Sequence, residues 1–532
     1  MSEEIRYPQD YKESELFKLY PDLYESIFVH KRNVLISGMG GTGKSYTIGM
    51  IKREFNRLNI ICDLTSTTGV SAHALGYGAS TLHRWSSIKL GKDPAEVILK
   101  NIRQAPDKLK RWKNCECLVI DEVSMLGSSI LELVSKLGQE IRIGRKEMKR
   151  LFSKKIPIPP FGGLQVIFSG DFLQLQPIND KFAFESLVWP RLNLYIFKLS
   201  HPYRYPDIKH FEMLARIRLG EHTAEDINML RTRVVAYEEY RRKERAGELK
   251  ENIKPTRIYP LKRDVEAINI SELQKLEGDT IVYEAEDTIM IKTTKDGVLV
   301  IHPDSINTND YSEYMDSIVS SEILMKPGAQ VMLTKNLSVE EGLTNGSRGV
   351  VLECHDERIV VEFKCGMIVD IIPHPYEFSD DKVDVVRHQF PLILADAVTC
   401  HKQQGSTLDY AIIDLGTSLF CSGLGYVMLS RCKTLEGILI INLMPKMIYA
   451  NETALEFEKS LVKEATSETK LIQKESVEDT DKIVDHLAYL ALEIEEKVGC
   501  KHSTGISIIC KLCKIEKIKS RTEYEQTEPG NQ

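Results

Sequence analysis

Two rhythms of apolar residues alternate along this chain. Short apolar runs at 33–37, 117–120 and 164–168 are separated by stretches with helical spacing, and the alternation holds from Asn33 to about Leu199. Runs that are apolar at nearly every position suit strands buried on both faces, so the pattern predicts a parallel sheet covered by helices. Turn residues from Gly76 to Asp93 interrupt it. A second region of this kind opens at Arg204, with a helix over Ile208 to Arg218, continues through Thr256 to Leu273 and resumes at Phe390. Between its halves, about Asp279 to Arg387, β-branched runs (280–284, 329–334, 349–354 and 359–363) with Gly and Asn-Gly turns predict a β-rich insertion. From about Lys446 the chain reads as helical and highly charged. It carries no internal repeat.

The first predicted strand ends in a turn with its own chemistry. Residues 38–45 read Gly-Met-Gly-Gly-Thr-Gly-Lys-Ser, a complete GxxxxGK[ST] phosphate-binding loop, and a helical stretch follows from Tyr46 to Arg57. Such a turn aims several backbone N–H groups and the positive end of a helix at one spot, which suits a triphosphate. The candidate nucleotide site is therefore Gly38, Met39, Gly40, Gly41, Thr42, Gly43, Lys44, Ser45 and Tyr46. Lys44 would neutralise the β- and γ-phosphates, and the Ser45 hydroxyl would hold Mg²⁺. Asp121 and Glu122 follow the apolar run 117–120, at the strand end where open sheets place ligands. Asp121 would complete the Mg²⁺ shell, and Glu122 would polarise a water for attack on the γ-phosphate. After the third run comes Gly170-Asp171-Phe172-Leu173-Gln174, which puts the Gln174 amide within γ-phosphate reach.

These motifs come as a set. GMGGTGKS, TSTTGVSAHALGYGASTLHRW (65–85), DEVSM (121–125), FGGLQVIFSGDFLQLQP (161–177), HPYRY (201–205), TCHKQQGSTLD (399–409) and YVMLSRC (426–432) occur in that order. Together they resemble the Pif-type helicases of superfamily 1, relatives of RecD, and the resemblance runs from about residue 30 to about residue 445. It implies an α/β fold of two RecA-like P-loop NTPase domains, with a small wedge insertion and an SH3-like β-barrel insertion. On that basis 1–30 is an N-terminal segment, and 31–199 is the first domain, with its wedge at about 76–93. Residues 200–278 and 388–445 are the second domain, 279–387 the β-rich insertion, and 446–532 a charged helical tail.

The implied activity is ATP- and Mg²⁺-dependent movement 5′ to 3′ on single-stranded DNA, with unwinding of forked duplexes. Arg204 and Arg431 take the positions of arginine fingers, which reach the γ-phosphate only when the interdomain cleft is closed. Thr65, Thr68, Thr81 and His83 in the first domain, and Thr399, His401, Lys402 and Thr407 in the second, occupy the DNA-contact motifs. Trp85 reads equally as a base-stacking wedge residue or a core tryptophan. Two features depart from the pattern. Asp396 stands where the family usually has an aromatic residue, which would weaken or shift a strand contact unless it faces solvent. The adenine-reading glutamine expected about twenty residues before the phosphate loop is not evident, and Gln9 lies too far upstream to assign.

Net charge is −7, which does not exclude a DNA partner, because phosphate contacts need only a local basic groove. Basic clusters occur at 108–113, 145–155 and 241–243. No apolar run reaches the roughly 18 residues of a membrane span, and the acidic opening Met1-Ser2-Glu3-Glu4 resembles no targeting peptide. The expectation is an intracellular protein with reduced cysteines, of bacterial, phage or large-virus origin, acting as a monomer. In the tail, Cys500, His502, Cys510 and Cys513 have spacing compatible with a small structural zinc site, set against ordinary reduced thiols. Two rivals to the helicase stand: a DNA-dependent translocase that hydrolyses ATP without net unwinding, and a non-hydrolysing nucleotide switch. The pathway served, whether repair, recombination or replication, is open.

Overall fold

Val34, Leu35 and Ile36 offer no polar face to water, and they form the fully buried β1 (Val34–Gly38) inside a six-stranded parallel sheet. The chain is seen in a computed structural model that describes residues 8 and 10–461, except 90, 92, 249–252, 292–310, 313–314, 317–318, 339–340, 344, 380–382, 401–407 and 409. The other strands of this sheet are β2 (Cys62–Ser66), β3 (Ser80–Thr81), β4 (Cys117–Asp121), β5 (Gln165–Gly170) and β6 (Tyr195–Leu199), in the order β3-β2-β4-β5-β1-β6. β5 lies between β4 and β1. The segments that follow these three strands therefore emerge side by side at one edge. That is the phosphate loop, Asp121–Glu122 and Asp171–Gln174.

Two stretches expected to stand apart belong to this domain's packing. Leu16, Leu23, Tyr24, Ile27 and Phe28 share one core with Val34, Ile36 and Phe55, so most of the expected N-terminal segment is welded to the sheet. Within 76–93, Leu82, Trp85 and Ile88 are buried. The Trp85 ring packs on Trp112 with centroids 4.6 Å apart, and its indole N–H donates to Asp63 Oδ2 at 2.7 Å. Of the two readings of Trp85, the core tryptophan is the one realised.

A second parallel sheet is assembled from distant pieces. β7 (Thr256–Tyr259) precedes a long β excursion: β8 (Ile281–Glu284), β9 (Glu286–Ile291), β10 (Glu322–Met325), β11 (Gln330–Leu333), β12 (Arg348–Cys354), β13 (Ile359–Phe363), β14 (Ile368–Ile371), β15 (His374–Ser379), β16 (Val383–Gln389) and β17 (Leu392–Leu394). The chain then returns as β18 (Ala397–Thr399), β19 (Ala411–Leu415) and β20 (Ile438–Leu443), giving the order β18-β7-β19-β20. Two such parallel sheets are consistent with two RecA-like domains. Among the described residues the excursion is three antiparallel sheets, of five, two and three strands. In β13, Ile359, Val361 and Phe363 point inward while Val360 and Glu362 are half-exposed, as period-two burial requires. The excursion runs past its expected limit at 387, because Leu392–Leu394 pairs antiparallel with β11.

The expected tail also begins as part of the fold. A helix over 452–461 buries Ala454 and Leu461 in the core of the first domain. Phe457 stacks on Phe184 at 4.0 Å and meets Phe172 edge-on at 5.2 Å. No helix among the described residues is long and apolar enough to cross a membrane.

Candidate active site

The phosphate loop turns between β1 and the helix Lys44–Arg57, with Gly41 at φ +86° and Gly43 at φ +91°. Both angles are strained for any other residue type. Gly41 has a second constraint: a Cβ there would lie 2.6 Å from Arg204 Cβ and 2.9 Å from the Tyr205 ring. The second domain's first segment thus rests directly on the loop, and Arg204 N–H donates to Gly41 O at 3.1 Å. Lys44 Nζ donates to Gly38 O at 2.7 Å and Met39 O at 2.9 Å. No carboxylate forms an ion pair with it among the described residues. Burial pushes its pKa down, against the pull of Asp171, Glu122 and Asp121.

Asp121 ends β4 in a buried position, and burial together with the charge of Glu122 raises its pKa to about 7. Glu122 has left-handed backbone angles (φ +55°, ψ 47°), which costs a non-glycine residue roughly 1–2 kcal/mol. Its carbonyl accepts the Thr67 hydroxyl at 3.1 Å, and Thr67 N–H donates to Asp121 O at 3.3 Å. The charge of Glu122 is felt by both Lys44 and Arg431.

Gln174 is buried, and its amide donates to Asp171 Oδ2 at 3.4 Å. Burial would raise the Asp171 pKa, but the Arg218 guanidinium, with Lys44 and the Leu173 N–H, outweighs it and the carboxyl is held low. From the second domain, Arg431 is buried, with Nε donating to Val427 O and Nη2 to Ser430 Oγ, both at 2.8 Å. Its Nη2 lies 3.6 Å from where a Cβ on Gly40 would sit, and Gln174 Nε2 lies 3.8 Å from the same point. Arg204 Nη1 donates to Ser430 O at 3.1 Å. Burial, and then repulsion from Arg204, lower the Arg431 pKa.

Lys44, Arg204 and Arg431 thus converge on one glycine loop, while the nearby Asp171 is neutralised by Arg218. Clustered cations of this kind call for an anion. A triphosphate fits the donors present: the loop's N–H groups, Lys44 and the two guanidiniums. Ser45, exposed at the helix start, and Asp121 would hold Mg²⁺. Among the described residues no group of three or more His, Cys, Asp or Glu could hold a metal by itself. Mg²⁺ in such sites takes few protein ligands besides phosphate oxygens.

The nucleic-acid candidates fare unevenly. Thr65 is fully buried and its hydroxyl donates to Val119 O at 2.7 Å, so it ties β2 to β4 and presents nothing to a ligand. A threonine inside a central strand had no other place to turn. Thr68 and Thr81 sit at adjoining strand ends and cap the short helices Gly69–Leu75 and Leu82–Ser86. His83 is half-buried, and burial lowers its pKa. Thr399 is buried at the end of β18. His401, Lys402 and Thr407, the zinc candidates Cys500, His502, Cys510 and Cys513, and Gln9 lie outside the described residues. Asp396 is buried and does not face solvent. Burial and the neighbouring Glu272 raise its pKa to about 6, among Lys254, Arg257 and Arg348.

Three contributors escaped sequence reasoning. Asp171 and Tyr426 stood inside quoted motifs with no role assigned. Arg218, ending an ordinary amphipathic helix, gave no signal beyond being a cation on a buried face.

Fold and site together define a P-loop nucleotide-binding protein whose two α/β domains share one phosphate loop. The sequence pattern of the PIF1-like helicases matches residues 13–233, and that of the 2B domain of DNA helicase Pif1 matches residues 314–354. The ATP-dependent DNA helicase PIF1 of Xenopus laevis is 34% identical over 444 residues, covering 81% of this chain and 62% of that protein. The human protein of the same name is 31% identical over 475 residues, covering 86% of this chain and 67% of its own length. The crystal structure of Pif1 helicase from Candida albicans superposes with a TM-score of 0.64 at 25% identity, covering 81% of this chain and 96% of that one. The chain belongs to the PIF1-like helicase family. It spans slightly under two thirds of the Xenopus relative's length, at 62%.

Proposed function

We propose that this chain is an ATP- and Mg²⁺-dependent DNA helicase that moves 5′ to 3′ on single-stranded DNA and opens forked duplexes, working as a monomer inside the cell. The observation that carries the reading is the convergence of Lys44, Arg204 and Arg431, from two domains, on one glycine loop beside Asp121, Glu122 and Gln174. A non-hydrolysing switch would need neither the strained Glu122 nor paired guanidiniums across the cleft.

In this reading Lys44 leaves the Gly38 and Met39 carbonyls for the β- and γ-phosphates. Ser45 and Asp121 would hold Mg²⁺, which would supply charge neutralisation when bound. Glu122 orients the attacking water, Gln174 contacts the γ-phosphate, and Arg204 and Arg431 offset charge on the transferring group while the cleft is closed. The Thr67 hydroxyl on the Glu122 carbonyl links the 65–68 segment to the water-orienting residue. That gives strand binding at Thr68, Thr81 and His83 a short path to the chemistry. The second domain's contacts would come from Thr399, His401, Lys402 and Thr407. The 76–93 segment serves as the wedge and the β excursion as the barrel-like insertion. Cys500, His502, Cys510 and Cys513 are proposed as a structural zinc set, which metal analysis of the purified full chain tests.

The deciding experiment compares duplexes with a 5′ or a 3′ single-stranded tail. The 5′-tailed duplex should open, with ATP hydrolysis stimulated by single strands. Strand affinity should fall with salt at about 0.7 decade per decade for each phosphate neutralised. Equal opening of both polarities would overturn the directionality. Stimulated hydrolysis without any opening would favour the translocase.

A further inference from the structure

Beyond the residues that face the nucleotide, one chain of hydrogen bonds leaves the phosphate loop and crosses both domains. Gly40 N–H donates to the Tyr426 hydroxyl oxygen at 3.0 Å. The same hydroxyl donates toward Asp171 Oδ2 at 3.4 Å. Asp171 accepts from Arg218 through Nε, at 3.0 Å to each carboxylate oxygen, and through Nη2 at 2.8 Å. Arg218 Nη2 also lies 3.2 Å from Glu458 Oε1, which accepts Lys198 Nζ at 3.1 Å. Tyr426, Asp171, Arg218 and Glu458 are all buried.

The order of ownership matters. Gly40, Asp171 and Lys198 belong to the first domain, and Tyr426 and Arg218 to the second. Glu458 lies on the 452–461 helix that follows the second domain and returns to the first. Each member bonds the next, although Glu458 Oε2 is buried without a hydrogen-bond partner among the described residues, and a buried network of this kind has few alternative arrangements. Displacing one member leaves a desolvated charge or donor behind. Opening the cleft would separate Tyr426 from Gly40 and Arg218 from Asp171 together.

We propose that Tyr426, Asp171, Arg218 and Glu458 form a positioning relay that makes closure of the cleft over the phosphate loop and docking of the 452–461 helix one event. The proposal rests on the ATPase reading for its catalytic consequence, and on geometry alone for the coupling. Tyr426 is not a catalytic residue here. Its hydroxyl fixes the Gly40 turn beside Arg431 and Gln174, so the relay sets turnover rather than nucleotide affinity.

Two shape-preserving variants of the full chain test it, Tyr426→Phe and Glu458→Gln. In amide hydrogen exchange without nucleotide, Glu458→Gln should speed exchange in peptides over 38–46, although Arg218, Asp171 and Tyr426 stand between the substitution and the loop. Tyr426→Phe should reciprocally speed exchange over 452–461. In DNA-stimulated hydrolysis, Tyr426→Phe should lower kcat about tenfold, equivalent to about 1.4 kcal/mol, with the Kd of a fluorescent ATP analogue within about twofold of the unsubstituted chain. The double variant should lose little more than the worse single one. Exchange changes confined to each variant's own neighbourhood would overturn the relay, whether or not the chain hydrolyses ATP. So would additive losses, or a Tyr426→Phe defect lying wholly in nucleotide affinity. Absence of DNA-stimulated hydrolysis in the unsubstituted chain would overturn the ATPase reading and the relay's catalytic role, leaving the coupling to be decided by the exchange pattern.

Discussion

Replacing Gly41 with alanine separates two costs that usually travel together. The first is conformational: at φ +86° an alanine pays roughly 1 kcal/mol wherever the loop keeps its shape. The second exists only when the domains are together. The new methyl would sit 2.6 Å from Arg204 Cβ and 2.9 Å from the Tyr205 ring. Neither atom is the loose end of a flexible side chain, so the 203–205 segment must retreat. Retreat strains the Arg204 N–H bond to Gly41 O and the Arg204 bond to Ser430 O. A penalty of about 1.5–3 kcal/mol on the closed arrangement corresponds to a fall in kcat of roughly one to two decades. The first domain's core is untouched, so its melting temperature should move by only a few degrees. Gly278→Ala is the matched control, with φ +87° and nothing within 4 Å of its new methyl. Steady-state DNA-stimulated hydrolysis and thermal melts of both variants, side by side, give the answer. Equal kcat in the two variants would refute the argument that the second domain rests on Gly41.

The other expectations are shorter. Lys44→Ala should abolish hydrolysis, whereas Glu122→Gln should keep nucleotide binding and lose two or more decades of turnover; near-normal turnover in Glu122→Gln would remove it from the water-orienting role. Asp121 ionises at about 7 in the free chain. A divalent cation must displace its proton below that pH, so Mg²⁺ affinity should rise about tenfold per pH unit up to about pH 6.5 and level off above about 7.5. In Glu122→Gln the bend should move to lower pH, because the like charge is gone, and magnesium titrations followed by fluorescent-nucleotide binding would show it. Trp85→Ala should cost about 3–5 kcal/mol of stability as a large-to-small core change; a stable variant with selectively weakened DNA binding would restore the wedge reading of Trp85.

Much of the site was legible because its chemistry is local. A glycine run, a lysine and a hydroxyl at the mouth of a helix specify a phosphate cradle within eight residues, and the apolar runs at 33–37, 117–120 and 164–168 announced strands buried on both faces. Asp121, Glu122 and Gln174 were legible for the same reason, since each follows such a run. What the runs could not say is that β5 lies between β4 and β1, which brings these residues to one place. Strand order is a long-range decision, set by how helices cover the sheet. Thr65 and Trp85 illustrate the limit: each sits in a motif expected to contact DNA, and each is claimed by the core because its strand or helix turns it inward. The 452–461 helix shows the reverse. Its charged sequence reads as solvated tail, yet Phe457 finds the Phe172–Phe184 cluster and Glu458 finds two cations waiting in the fold. The sequence by itself determined the loop, the strands and the titratable groups, because these depend on neighbours a few residues away. Only the tertiary structure decided which cation neutralises Asp171, what lies against Gly41 and where the chain ends its return, because those partners lie tens to hundreds of residues apart and meet only when two sheets close on each other.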